Sequence, residues 1–72
     1  MQDQLEELHV AWNELHSRLR AREQHLSEAI AGYARGQRDR PEALMKEVEQ
    51  MRLDCSRKFK DLMDAVRRQG PA

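Results

Sequence analysis

Three histidines and one cysteine are the residues of this 72-residue chain with the chemistry to hold a metal or attack a substrate: His9, His16, His25 and Cys55. A helix presents two ligands to one ion when they lie three or four residues apart. The histidine gaps are seven and nine, so no metal site is expected and no cofactor is implied. Histidines at such intervals read as solvated or as flanking a packed seam. Cys55 as a nucleophile would need an electropositive, partly open setting with a basic partner. It sits instead in an apolar stripe, where a thiol packs as a small hydrophobe. A chain this short rarely encloses a deep cleft. We therefore expect no catalytic residues and no enzyme.

Cations form two short clusters, Arg18-x-Arg20-x-Arg22 and Arg57-Lys58-x-Lys60. Arg18, Arg57, Lys58 and Lys60 are the candidate basic patch, suited to an acidic protein, to phosphates or to an anionic membrane. Glu14, Asp54, Asp61 and Asp64 dilute it, and Glu14–Arg18 and Asp54–Lys58 have the i,i+4 spacing of helical ion pairs. Such a face reads first as solvated and salt-paired. Thirteen basic residues balance thirteen acidic ones, whereas a nucleic-acid binder needs a positive excess to displace counterions. No nucleic-acid partner is expected. No stretch approaches the roughly 20 apolar residues of a membrane span, and Met1–Glu7 has no apolar core of a signal peptide. A single cysteine forms no internal disulfide, which suits a reducing, cytoplasmic setting.

These residues must be carried by helices. Charged residues reach 36% and hydrophobic ones 39%, with three aromatics, three glycines and two prolines. Few turn formers among many Glu, Lys, Arg, Leu and Ala mark long solvent-facing helices. In the first half Leu5, Leu8, Trp12, Leu15, Leu19, Arg22, Leu26, Ala29 and Tyr33 recur in steps of three and four, a coiled-coil stripe. This predicts a helix over about 2–34, stopped near Gly32 and Gly36. Residues 35–40 read as a loop. Asp39 is placed to cap a second helix over about 41–68, with Pro41 in the first turn and Glu42 three residues after Asp39. Its stripe, Leu44, Val48, Met51, Cys55, Phe59, Leu62 and Val66, has steps of 4, 3, 4, 4, 3 and 4. That includes one four-residue insertion, which locally unwinds a heptad. Arg67 and Arg68 suit a helix C-terminus, and Gly70-Pro71 stop it.

The two stripes predict an antiparallel hairpin, because partners across a hairpin have numbers that sum to a constant. Leu8 with Val66, Trp12 with Leu62, Leu15 with Phe59, Leu19 with Cys55, Leu26 with Val48 and Ile30 with Leu44 all sum to 74. Together with Met51 these residues form the expected helix–helix seam. The same register sets Asp3, Glu6 and Glu7 near Arg67 and Arg68. Arg22, polar on an apolar stripe, is expected to lay its stem along Met51 with its guanidinium at the rim, where it could fix register or oligomer state. Val10, Met45, Leu53 and Met63 lie off the seam.

The first helix resembles the third helix of a spectrin repeat. That family's pattern places Leu three, Arg ten, Leu fourteen and Ala seventeen residues after a Trp. Here Trp12, Leu15, Arg22, Leu26 and Ala29 stand at those offsets, with Leu5 and Leu8 at leucine positions upstream. The resemblance covers about residues 1–30. It implies a divergent or partial repeat in a cytoskeletal or scaffolding protein, with the tryptophan and leucines in a helical-bundle core and no catalytic site. Gly36 and Pro41 depart from the family's continuous helix, and the second helix lacks the tryptophan of a following repeat.

The fold class is thus all-α: an antiparallel, coiled-coil-like hairpin over residues 1–72, completed to a three- or four-helix bundle by a partner or second copy. The expected role is a non-catalytic interaction module that self-associates as an antiparallel dimer or docks onto another helical segment of a larger scaffold. Two alternatives remain: a regulatory effector domain whose outer face binds a switch protein, and a peripheral membrane binder using the basic patch.

Overall fold

A computed structural model of the chain describes residues 4–69. It contains two helices, α1 (Gln4–Ala34) and α2 (Glu42–Arg68), packed as an antiparallel hairpin. Asp3, the start expected at residue 2 and the Gly70-Pro71 stop lie outside the described residues. The hairpin measures 56 × 17 × 17 Å. An unbroken helix of all 72 residues would run about 108 Å at 1.5 Å per residue, so the chain folds back on itself.

The turn is built from backbone. Gly36 adopts φ +76°, a left-handed conformation that glycine reaches without a Cβ clash. Its amide donates to the Tyr33 carbonyl at 2.9 Å, and the Gln37 amide donates to the Gly32 carbonyl at 2.9 Å. These paired bonds are a Schellman motif, which satisfies carbonyls the helix end would otherwise orphan. Pro41 occupies the N-cap of α2, and no side chain bonds the cap amides. Asp39 therefore does not cap the helix, because it stands two residues upstream of the cap. Pro41 accepts from the Met45 amide at 2.9 Å, and Glu42 pairs instead with Arg40 at 2.9 Å. At the far end Arg67 pairs with Asp64 of its own helix. Among the described residues no ion pair joins Glu6 or Glu7 to Arg67 or Arg68.

The seam differs from the expected one in α2. The buried residues are Leu19, Ala29 and Gly32 on α1 with Val48, Cys55, Leu62 and Ala65 on α2. Leu19, Val48 and Cys55 form the core cluster, against which Trp12, Leu15, Leu26, Leu44 and Met51 pack. Val48, Cys55 and Leu62 are seven residues apart, as are Leu44, Met51, Lys58 and Ala65. The seam of α2 is thus an unbroken heptad with steps of 4 and 3, and Lys58 holds one of its positions. No insertion occurs. Phe59 and Val66 each fall one residue past a seam position, about 100° around the helix, and are left 47% and 46% exposed. On α1 the same holds for Ile30, at 46% exposed, while Ala29 is buried in its place.

Only Val48 is buried to 1%. Full burial of a side chain of this kind stabilises by about 1.5–3 kcal/mol, and two helices supply few such sites.

Candidate interaction surface

Once the heptads are set, every remaining side chain has a fixed place. Write the α1 seam as a (Leu5, Trp12, Leu19, Leu26) and d (Leu8, Leu15, Arg22, Ala29), and the α2 seam as a (Val48, Cys55, Leu62) and d (Leu44, Met51, Lys58, Ala65). In an antiparallel pair the e positions of both helices flank one side of the seam and the g positions flank the other. The e side carries His9, His16, Glu23 and Ile30 from α1, with Met45, Arg52, Phe59 and Val66 from α2. The g side carries Ala11, Arg18, His25 and Gly32 opposite Glu47, Asp54, Asp61 and Arg68. One face of the hairpin is therefore largely apolar and aromatic, and the other is polar.

Contacts agree with this division. On the e face Arg52 Nε and Nη2 both donate to Glu23 Oε2, at 2.9 and 2.6 Å. Next to that pair lies an aromatic group centred on Trp12. His16 stacks on the indole with ring centroids 5.0 Å apart and planes at 17°. Phe59 leans against it from α2 at 5.8 Å and 49°, and His9 lies 6.3 Å away, one turn earlier. Tilted and offset arrangements of this kind add about 0.5–1.5 kcal/mol to simple area burial. Toward the turn, an open groove of about 240 Å³ is lined by Glu23, Leu26, Ser27, Ile30 and Arg52. The e face thus has an aromatic end and a grooved end.

The g face is held by charge. Arg22 Nε donates to Glu47 Oε1 at 2.7 Å, with both side chains over two-fifths exposed. The guanidinium reaches the rim, where it finds a carboxylate of the other helix. An ion pair this wet contributes about 0–1 kcal/mol. Arg18, Arg57, Lys58 and Lys60 are all exposed, but their heptad places differ. Arg18 lies on the g side, Lys58 holds a d position of the seam, Arg57 lies further out, and Lys60 points away from the seam altogether. Asp54 accepts from Gln50 at 3.1 Å rather than pairing with Lys58.

The residues with reactive groups are dispersed. Cys55 is buried in the core cluster with Leu19 and Val48. His9 and His16 border Trp12, and His25 is exposed on the opposite face. Among the described residues no group of three or more His, Cys, Asp or Glu is placed to hold a metal ion, and no helix is long and apolar enough to cross a membrane.

Two features were not anticipated from the sequence: the aromatic group around Trp12 and the Glu23–Arg52 pair. Signals for both exist. His9 and His16 stand three before and four after Trp12, the spacing that brings helical side chains together, and 23 and 52 sum to 75, one from the hairpin constant. Comparison with protein-family models, with curated proteins and with solved structures finds no match to this chain.

Proposed function

We propose that this hairpin is a non-catalytic interaction module that completes a helical bundle, by self-association as an antiparallel dimer or by docking onto a helical segment of a scaffold protein. The observation that carries this reading is the e face: Phe59, Val66 and Ile30 stand about half exposed along it, while the g face is charged. Helices of a bundle bury a and d together with e or g, so an apolar e flank is the mark of a hairpin meant to be covered. The accessible area points the same way. The chain exposes 5883 Å², against about 4,700 Å² for a compact monomer of 8.5 kDa. The resemblance of α1 to a spectrin-repeat helix is in keeping with a structural rather than a chemical role, and a cytoskeletal or scaffolding parent is part of the proposal. Sedimentation equilibrium over a wide concentration range tests it. A rise toward twice the 8.5 kDa monomer mass is the expected result; a monomer at all concentrations that also fails to retain any helical partner overturns it.

A further inference from the structure

We infer that the occupant of the e face is a second copy of this chain, stacked face to face and reversed end for end, so that the Trp12–Phe59 group of each copy covers the Leu26–Ile30 groove of the other. The inference rests on the module reading above and adds the surface, the partner and the orientation.

Three observations carry it. The first is shape. Along the hairpin the aromatic group occupies the half nearer the chain ends, and the groove occupies the half nearer the turn. Leu19 and Cys55 mark the midpoint, with the centre of the aromatic group and the centre of the groove about two helical turns to either side of it. A twofold axis through that midpoint, perpendicular to the helices and lying between the layers, superposes aromatic end on grooved end. A stack with both turns at the same end would instead press aromatic group on aromatic group and leave the two grooves facing each other.

The second observation is charge. Glu23 and Arg52 are the charged e residues, and they neutralise each other within one copy. Two e faces therefore meet without like-charge repulsion, and the chain as a whole is formally neutral. The reversed stack also sets Arg52 at the level of the other copy's Phe59, where the face of a ring favours a cation. Two g faces would bring Arg18, Asp54, Asp61 and Arg68 together with water removed, and desolvated charges are costly.

The third is area. The hairpin is 56 Å long and 17 Å across. Covering a face of that size buries about 600–800 Å² per copy, the standard size of a specific interface. It accounts for about half to two-thirds of the roughly 1,200 Å² by which this chain exceeds a compact monomer.

The test combines mass, helicity and isotope-filtered NMR. Phe59→Lys and Ile30→Lys, at opposite ends of the e face, are expected to keep the helical circular dichroism and to weaken dimerisation more than tenfold. Leu53→Lys, on the outside of α2, is expected to change neither. In a mixture of labelled and unlabelled chains, intermolecular Overhauser contacts are expected between the Trp12 indole and the Ile30 methyls. A dimer that survives both lysine substitutions with helix intact overturns the face while leaving the module reading standing. Intermolecular contacts from Phe59 to Trp12 without any to Ile30 overturn the reversed orientation. A wild-type chain that never dimerises overturns the homotypic partner, and retention of another helical partner by that monomer would keep the broader reading.

Discussion

Lys58 is the residue on which the packing of α2 turns. It holds a heptad position of the seam yet stays exposed, its long stem carrying the ammonium out to water. Replacing it by Leu adds an apolar side chain to the seam at equal helix propensity. Lys58→Leu should raise stability by about 1–2 kcal/mol, read as a higher urea midpoint with unchanged slope. Val48→Ala should do the reverse. Val48 is the most buried side chain, and removing its methyls should cost about 1.5–3 kcal/mol in the same experiment. At this scale the sequence was legible where the seam residue was also the largest apolar one. The stripe Leu5 to Leu26 satisfies that condition apart from Arg22. It failed at Lys58, and at the turn end the stripe included Ala29 but the pairing took Ile30: a charged and a small residue hold these seam positions, and larger neighbours, Phe59 and Ile30, draw the eye one place along.

The helices themselves were readable because long charged-and-leucine segments have few alternatives, and the Gly36–Pro41 interval could hardly be anything but a turn. The chemistry of that turn was less visible. Gly36 in its left-handed conformation closes the Schellman motif, whereas the start of α2 has no side-chain cap. An Asp three residues before a Glu has the spacing of a capping box, but Pro41 takes the cap position and shifts Asp39 out of reach. Two glycine substitutions separate backbone need from packing. Gly36→Ala should destabilise the hairpin by about 1 kcal/mol or more, because alanine resists φ +76°. Gly32→Ala should be neutral or stabilising by up to about 1 kcal/mol. An added Cβ there meets only the side chain of Arg38, at 2.9 Å from its Cδ, and that side chain can swing aside. Thermal unfolding followed by circular dichroism should therefore shift down for Gly36→Ala and stay or rise for Gly32→Ala.

At the scale of the whole molecule, a two-helix layer has one seam and two faces, and this chain makes the faces unlike. The polar face is held by Arg22–Glu47 and the apolar one by aromatic contacts beside Glu23–Arg52. Sequence reading reached the hairpin and the need for a further surface, but it spent Phe59 and Val66 on the seam, and so could not see that they share a face with Ile30 and His16. One misplaced heptad step hid the surface. The fold-back underlies seam, faces and proposed partner alike. Its most direct test is an Overhauser measurement between the Trp12 indole and the Phe59 ring, whose centroids lie 5.8 Å apart, in a sample diluted with unlabelled chains so that only contacts within one molecule survive. Strong intramolecular cross-peaks are the predicted result. Their absence in a chain that is fully helical would mean that the two helices do not meet in this register, and the account would fall.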